Sequence, residues 1–226
     1  MSLIAGLEKL KKGAILAIAG DLLAIAGIAF IFLSVGLGLN LDNMNVFFAL
    51  MGAILIPFLV AIVLGILAFI LWFQATGRFR EVSDDLRIGR TGMVLQLAGI
   101  GLILISILVM IPMLSAVPSP QFRPEVDFPA IGVMAAGMIL FMGIGGLIAI
   151  IGAILFGIML LRLSKVEGVD QGFNTAGILY LISVVASVVF AALGSILMFV
   201  TLILIYMAAD RSLKNIHADR NSVNVQ

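Results

Sequence analysis

Long apolar stretches alternate with short polar clusters along the whole chain. Four apolar stretches cover about residues 13–37, 46–73, 92–113 and 130–161, and a fifth covers about residues 175–207. A membrane-spanning helix needs roughly 20 consecutive apolar residues, which every stretch provides. The pattern therefore predicts an all-α integral membrane protein. Because the first stretch is far longer than the core of a signal peptide, roughly 7–15 residues, we interpret it as a retained span.

The fifth apolar stretch is too long for one upright span and barely long enough for two. Arg162 and Lys165 precede it, and Arg211 and Lys214 follow it. If both basic clusters lie in the cytoplasm, the segment crosses the membrane an even number of times. We therefore predict that residues 175–207 form a tight hairpin that turns at Gly194. The alternative is one long helix.

The basic residues are concentrated between the apolar stretches. Twelve of the 13 Lys and Arg residues fall into four short clusters. Basic loops are retained on the cytoplasmic side during insertion. The pattern predicts a polytopic bundle of six transmembrane helices in the cell membrane, with both termini cytoplasmic. The clusters are Lys9, Lys11 and Lys12; Arg78, Arg80, Arg87 and Arg90; Arg162 and Lys165; and Arg211, Lys214 and Arg220.

The chain also repeats itself in units of two spans. A glycine opens the first, third and fifth spans, at Gly13, Gly92 and Gly177, and a basic cluster follows each even-numbered span. We therefore predict three tandem helical hairpins of the same orientation within a single transmembrane domain. The predicted hairpin repeats cover residues 8–80, 86–165 and 172–214 of a domain that spans residues 1–226, and a polar C-terminal tail covers residues 215–226.

Composition excludes several classes of protein and site. The chain is 63% hydrophobic and 11% charged, whereas soluble domains are roughly 45–50% apolar and about 25% charged. It has no Cys, and its one His lies in the polar tail, so we predict no metal site and no cofactor. The basic clusters are too small for a nucleic-acid surface. No nucleophile–base pair or phosphate-binding loop occurs, which argues against an enzyme.

Two polar segments carry a family resemblance. They are the approach to the first span, residues 6–13, and the linker after the second span, residues 77–82 and 85–92. Their sequences, GLEKLKKG, GRFREV and DLRIGRTG, resemble an archaeal family of multi-pass membrane proteins known as domain of unknown function nine-seven-three. The resemblance covers mainly the first half of the chain. It implies an archaeal source and repeated hairpins with basic entries, and it implies no known activity or site residue.

Asp21 is the only acidic residue inside a predicted span. It lies eight residues past Gly13, which corresponds to about 12 Å along a helix. A charge at such depth costs at least roughly 2.5–3.5 kcal/mol on insertion scales. Ala17 and Ala24, at helical spacing, predict a small-residue face packed against another helix. Three interpretations stay open: a proton or cation relay, an Asp that joins two helices, and contact with a partner subunit.

Other intramembrane candidates are an amide and a stripe of small residues. Gln96 lies about one turn into the third span, and interhelical hydrogen bonds explain it and the few intramembrane Ser and Thr residues. The stripe lies in the fourth span at four-residue spacing, and such stripes let helix backbones approach closely. We interpret it as a helix-packing seam, either inside the bundle or between molecules. Its members are Gly145, Ala149, Ala153 and Gly157.

The linker between the second and third spans is the most charged part of the chain. It contains Arg78, Arg80, Arg87 and Arg90 together with three carboxylates. Arg80 and Asp84 have the spacing of an ion pair on a helix, which predicts a solvated, salt-bridged cytoplasmic turn. The same arginines are suited to contact anionic lipid headgroups.

Two functions fit this sequence. The leading hypothesis is a non-catalytic accessory or assembly subunit of a larger membrane complex, which acts through helix packing. Its partners would be the bilayer and other membrane-protein subunits or further copies of itself. The alternative is a small channel or a proton- or cation-coupled transporter that uses Asp21. An intramembrane enzyme is disfavoured because an active site normally needs several convergent polar groups.

Overall fold

The computed structural model describes residues 2–36, 44–116 and 128–223. These residues form six α-helices and one short 3-10 helix, and the described ranges contain no strand. Each α-helix is long and apolar enough to cross a membrane, which confirms the predicted all-α, multi-pass class. The helices are α1 (Ser2–Gly36), α2 (Met44–Phe79), α3 (Arg87–Ala116), α4 (Phe128–Leu163), α5 (Gly172–Val189) and α6 (Ala191–Val223), and the 3-10 helix is Asp84–Leu86.

The helices extend beyond the apolar stretches at both ends of the chain. The basic approach to the first span is helical, because α1 already begins at Ser2. Most of the predicted polar tail is helical as well, because α6 continues to Val223. The last three residues of that tail lie outside the described residues.

The fifth apolar stretch is two helices, as predicted, but the position predicted for the turn is wrong. One extended residue, Phe190, separates α5 from α6, with φ −140° and ψ 97°. The preceding Val188 and Val189 are β-branched and favour helix less than unbranched residues do. Gly194 lies in the first turn of α6 and has a different role. A Cβ built on it would lie 2.5 Å from the Cα of Ser187, so glycine lets the two backbones meet.

The helices form a ring in sequence order. Each helix packs against the next one along the chain, and α1 also packs against α6. Contacts are most extensive within the pairs α1–α2, α3–α4 and α5–α6, and they are least extensive between α2 and α3. The ring therefore consists of three close pairs, and the step from α2 to α3 is its weakest junction.

Glycines at seven-residue intervals bring α1 against α2. Seven residues are close to two helical turns, so residues at this interval lie on one face. A Cβ built on any of the four glycines of this face would lie within 3.2 Å of an α2 atom. Gly13 and Gly20 thus bring the α1 backbone against the α2 backbone, whereas Gly6 and Gly27 make room for phenylalanine rings of α2. The four glycines are Gly6, Gly13, Gly20 and Gly27.

The same interval recurs between α3 and α4, with glycines on both helices. A Cβ on Gly92 would lie 2.6 Å from the carbonyl oxygen of Gly152. A Cβ on Gly145 would lie 2.8 Å from the carbonyl oxygen of Gly99. The two pairs are one heptad apart on each helix and in opposite order, so the helices run antiparallel. Such close backbone approach favours dispersion contact and weak Cα–H···O interactions.

Aromatic rings fill the interior of the ring of helices. Trp72 of α2 stacks on Phe156 of α4 at a centroid distance of 5.6 Å. Phe156 meets Tyr180 of α5 edge to face at 5.4 Å. The indole nitrogen of Trp72 donates a hydrogen bond to the carbonyl of Leu10 in α1, at 3.2 Å. Four helices are thereby joined through one layer of large side chains.

Polar contacts link the basic clusters at one end of the ring, which we call the polar end. Asp210 of α6 accepts from Lys11 of α1, which closes the ring, and also from Lys214. Most of the fully buried core lies between this end and the aromatic layer. The contacts that link the clusters are Lys9 with Gln74 (2.8 Å), Lys11 with Asp210 (2.7 Å), Lys214 with Asp210 (2.8 Å) and Arg162 with Asp85 (3.7 Å).

Candidate functional site

Two cavities meet at Asp21, which lies on the opposite side of the aromatic layer from the polar end. The inner cavity, of about 440 Å³, lies between α1, α2, α5 and α6. The outer cavity, of about 430 Å³, lies between α1, α6 and the end of α5. Asp21, Ala24 and Met198 line both of them. Ligand sites in proteins typically measure roughly 300–1,000 Å³, so either cavity is large enough for a small organic molecule.

The glycine face of α1 determines where the Asp21 carboxylate lies. Gly20 rests on α2, where its Cβ would lie 3.2 Å from the carbonyl oxygen of Ala61. Asp21 follows Gly20 directly in α1, so it lies beside this contact, on the side of α1 that faces α6. Its side chain is half-buried. Among the described residues it has no hydrogen-bond or ion-pair partner, so the geometry offers no support for an Asp that joins two helices.

The two cavities differ in their walls. Aromatic side chains from two helices line the inner cavity, namely Phe58, Phe69, Trp72 and Tyr180. The outer cavity has two hydroxyl groups, on Ser187 and Ser195. Both hydroxyls already donate to carbonyls of their own helices, at 2.7 and 2.9 Å. Among the described residues, Asp21 is the only carboxylate on either wall, and no Lys, Arg or His is part of the lining.

The rim of the outer cavity faces the surface that lipid would cover. Ile25, Ile28 and Ile196 line this cavity, and their exposed fractions are 54%, 45% and 63%. In a bilayer these side chains would contact acyl chains. A molecule dissolved in the bilayer could therefore reach Asp21 from the side.

The charged linker is not helical where an ion pair was predicted. Because α2 ends at Phe79, Arg80 and Asp84 do not lie on one helix. They form no ion pair in the described structure. The prediction of that pair is wrong. Arg78 instead pairs with Glu81 at 3.5 Å. The four linker arginines line two clefts near the junction of α2 and α3.

Comparison with known proteins places the chain in a family. The sequence matches the family described as a protein of unknown function, DUF973, over residues 4–226. The chain belongs to the DUF973 family. The match spans nearly the whole chain, so the expectation that the resemblance covers mainly the first half is corrected. No curated protein and no solved structure matches this DUF973 protein.

The predicted seam of the DUF973 protein is divided between two neighbouring helices. Gly145 and Ala149 meet Gly99 of α3, and Gly157 meets a leucine of α5. Ala153 packs against the buried core. These contacts lie inside the molecule, in keeping with the first of the two interpretations of the stripe.

The glycine face of α1 was missed because small residues were sought at four-residue spacing. Its glycines recur every seven residues, from Gly6 to Gly27. This period was visible in the sequence and indicates one helical face in continuous contact with a neighbour. It also identifies Asp21 as a residue at the edge of a helix–helix contact.

Gln96 lies on the seam between α3 and α4 and does not line the cavities at Asp21. A Cβ on Gly152 would lie 2.6 Å from the Gln96 backbone nitrogen. The side chain extends towards Tyr180. Its amide nitrogen is buried and has no hydrogen-bond partner among the described residues. The side chains of Gln96 in α3 and Tyr180 in α5 thus face each other, and the interhelical hydrogen bond predicted for Gln96 stays a prediction.

Substitution of Gln96 by Met should stabilise the DUF973 protein. A buried donor without a partner costs about 1–3 kcal/mol, and Met fills a similar volume without a polar atom. We expect Gln96→Met to raise the free energy of unfolding by up to about this amount, as measured by denaturant unfolding in mild detergent. Gln171→Met, at an exposed position whose side chain forms no capping hydrogen bond, should leave the stability nearly unchanged. A clear loss of stability in Gln96→Met would contradict the assignment.

Proposed function

We propose that this DUF973 protein is a transporter that binds lipophilic cations inside the membrane, with Asp21 as the group that takes the positive charge. One observation carries the proposal: two cavities of ligand size meet at a single intramembrane carboxylate. This is the cation-coupled alternative raised by the sequence, and it involves no catalysis.

Charge complementarity identifies the class of ligand. An isolated carboxylate within a bilayer is costly when ionised, and a proton or a bound cation removes most of this cost. In the part of the chain that the structure describes, no Lys, Arg or His lines the cavities to provide an internal counter-ion. A bound molecule with one positive charge would therefore pair with Asp21, and a proton would take its place when the molecule leaves.

The walls favour an organic cation over a hydrated metal ion. A small inorganic cation needs several oxygen ligands to replace its water, and the two serine hydroxyls near Asp21 are bonded within their own helices. The four aromatic rings of the inner cavity offer apolar contact and cation–π attraction. A lipophilic cation would also partition into the bilayer and pass the isoleucine rim of the outer cavity.

We also propose the orientation and repeat predicted from the sequence. The three hairpins would cover residues 8–80, 86–165 and 172–214, with both termini in the cytoplasm. The close packing within the pairs α1–α2, α3–α4 and α5–α6 supports this arrangement. The joining of all four basic clusters at the polar end supports a cytoplasmic location for that end. An archaeal source remains a prediction from the family resemblance.

The proposal predicts that Asp21→Asn abolishes saturable binding of a lipophilic cation. With tetraphenylphosphonium as the probe, calorimetric titration of the solubilised wild-type protein should give saturable binding that strengthens as the pH is raised. Only the ionised carboxylate attracts the cation, so protons compete with it. Asp21→Asn should lower the affinity at least about tenfold, because losing one partner of a desolvated charge pair costs more than roughly 1.4 kcal/mol.

Two controls make this test specific. Asp84→Asn removes an exposed carboxylate at the polar end and should bind tetraphenylphosphonium like the wild type. In proteoliposomes, a pH gradient should drive uptake of the probe by the wild-type protein and not by Asp21→Asn. Equal affinity in both Asp variants, or wild-type binding that does not depend on pH, would overturn the proposal.

The second candidate is the accessory or assembly subunit, and the outer face of α4 is the observation that favours it. A Cβ built on Gly143 or Gly146, three residues apart on one side of α4, would meet nothing within 4 Å in the described structure. These glycines could admit the backbone of another membrane helix, either from a partner subunit or from a second copy. Because the predicted seam packs inside the molecule, fewer small residues of α4 are left for a contact with another membrane helix.

Native mass spectrometry distinguishes this second candidate from the first. An accessory subunit extracted gently from its own membranes should appear in discrete complexes with other proteins. The paired change Gly143→Leu with Gly146→Leu should dissociate these complexes, because two bulky side chains would separate the backbones. A protein that appears only as a bare monomer would count against the accessory role and leave the transporter proposal unaffected.

A further inference from the structure

A basic cleft lies at the polar end, on the first turns of α3 and beside Arg80 of the charged linker. Its volume is about 270 Å³. We call it the arginine cleft. Three arginines and a threonine line it together with two aliphatic residues, and no carboxylate of the described residues is among its lining. The lining residues are Arg80, Arg87, Arg90, Thr91, Val94 and Leu95.

The position of Arg90 is determined by packing. Its guanidinium lies over the ring of Phe73, at 5.2 Å from the ring centroid. The guanidinium also lies over the backbone of Gly77, where a Cβ would lie 3.0 Å from one of its nitrogens. Glycine at this position leaves room for the arginine to lie flat against α2. Arg90 is thus held at the boundary between the arginine cleft and a second cleft that contains Arg78.

The charge of the arginine cleft is not neutralised within the described structure. Two of the three linker carboxylates are engaged elsewhere, since Glu81 pairs with Arg78 and Asp85 pairs with Arg162, and the third, Asp84, forms no ion pair with a described residue. Arg80, Arg87 and Arg90 form no ion pair with any described residue. Three arginines that line one small cleft provide the positive charge and the N–H donors that suit a phosphate group, whose oxygens accept charge-assisted hydrogen bonds from several donors at once.

The surroundings favour a phosphate that belongs to a lipid. The cleft lies where α2 and α3 make the least extensive contact in the ring. Towards the membrane interior, apolar side chains of both helices stay exposed, including Val94 (48%) and Leu97 (55%) of α3 and Ile70 (44%) of α2. An acyl chain would cover these side chains while its headgroup lay in the cleft. Basic pockets between membrane helices are a known setting for anionic headgroups.

We infer that the arginine cleft binds the phosphate of an anionic membrane lipid, whose acyl chains lie along α2 and α3 and strengthen their junction. This inference is independent of the function proposed for Asp21. It also selects among the four arginines predicted to contact headgroups. Arg80, Arg87 and Arg90 bind the lipid, whereas Arg78 is engaged with Glu81.

The test is a lipid titration monitored by thermal unfolding of the full chain in neutral detergent. Phosphatidylglycerol should raise the melting temperature in a saturable way. Phosphatidylcholine with the same acyl chains, and inorganic phosphate alone, should not. Arg80→Gln combined with Arg87→Gln should raise the half-saturating lipid concentration by about tenfold or more, since charge-assisted hydrogen bonds of about 1.5–3 kcal/mol are lost. Arg78→Gln is the matched control and should behave like the wild type.

The double variant spares Arg90, whose packing on Phe73 contributes to the junction of α2 and α3. It should therefore fold, which the melting curve without lipid verifies directly. Equal stabilisation by phosphatidylcholine would overturn the inference, and so would a double variant that responds like the wild type. Equal stabilisation by inorganic phosphate would assign the cleft to a free anion and contradict the lipid assignment.

Discussion

Close contact between helix backbones at glycine is the constraint on which the rest of this structure depends. Inside a bilayer, burial of apolar side chains provides no drive for helices to associate, because lipid is as apolar as leucine. Dispersion between closely packed atoms must provide it. Gly13 and Gly20 of α1, and the facing glycines of α3 and α4, lack the side chains that would separate the backbones, and Gly6 and Gly27 leave space for aromatic rings of α2.

The same constraint explains where the ring of helices is dense and where it is open. Around the aromatic layer and the polar end, large side chains and ion pairs fill the interior. Farther from the polar end, α1 stays on α2 through Gly20 and Gly27 and makes less contact with α6. Space therefore opens between α1 and α6, and Asp21 lies at its edge. The Asp21 carboxylate, next to the glycine contact, thus lies in a cavity and forms no hydrogen bond or ion pair with the described residues of α2 or α6.

Much of the fold could be predicted from the sequence, because each span is specified by its own local composition. The spans, the two helices within residues 175–207 and the basic clusters follow from apolar length and charge position. The turn at Phe190 was misplaced because glycine was expected to break the helix, whereas the glycine serves a backbone contact.

The candidate site was harder to predict because it depends on contacts between distant parts of the chain. Asp21 was visible as an intramembrane carboxylate, but its surroundings come from α2, α5 and α6. Which face of α1 meets α6 is decided by closure of the ring, including the pair between Lys11 and Asp210. Likewise, predicting the arginine cleft requires knowing that α2 ends at Phe79, and residue spacing alone did not predict this helix end.

The most direct measurement compares the stability of Gly99→Leu with that of Gly101→Leu in mild detergent. Both changes replace glycine by leucine within α3, so their effects on helix propensity are matched. A Cβ at Gly99 would collide with the backbone of α4, whereas one at Gly101 would meet nothing within 4 Å. We predict that Gly99→Leu lowers the free energy of unfolding by about 1–3 kcal/mol or more through overpacking and that Gly101→Leu does not lower it. Equal stability of the two variants would contradict the claim that glycine contacts hold the helices together.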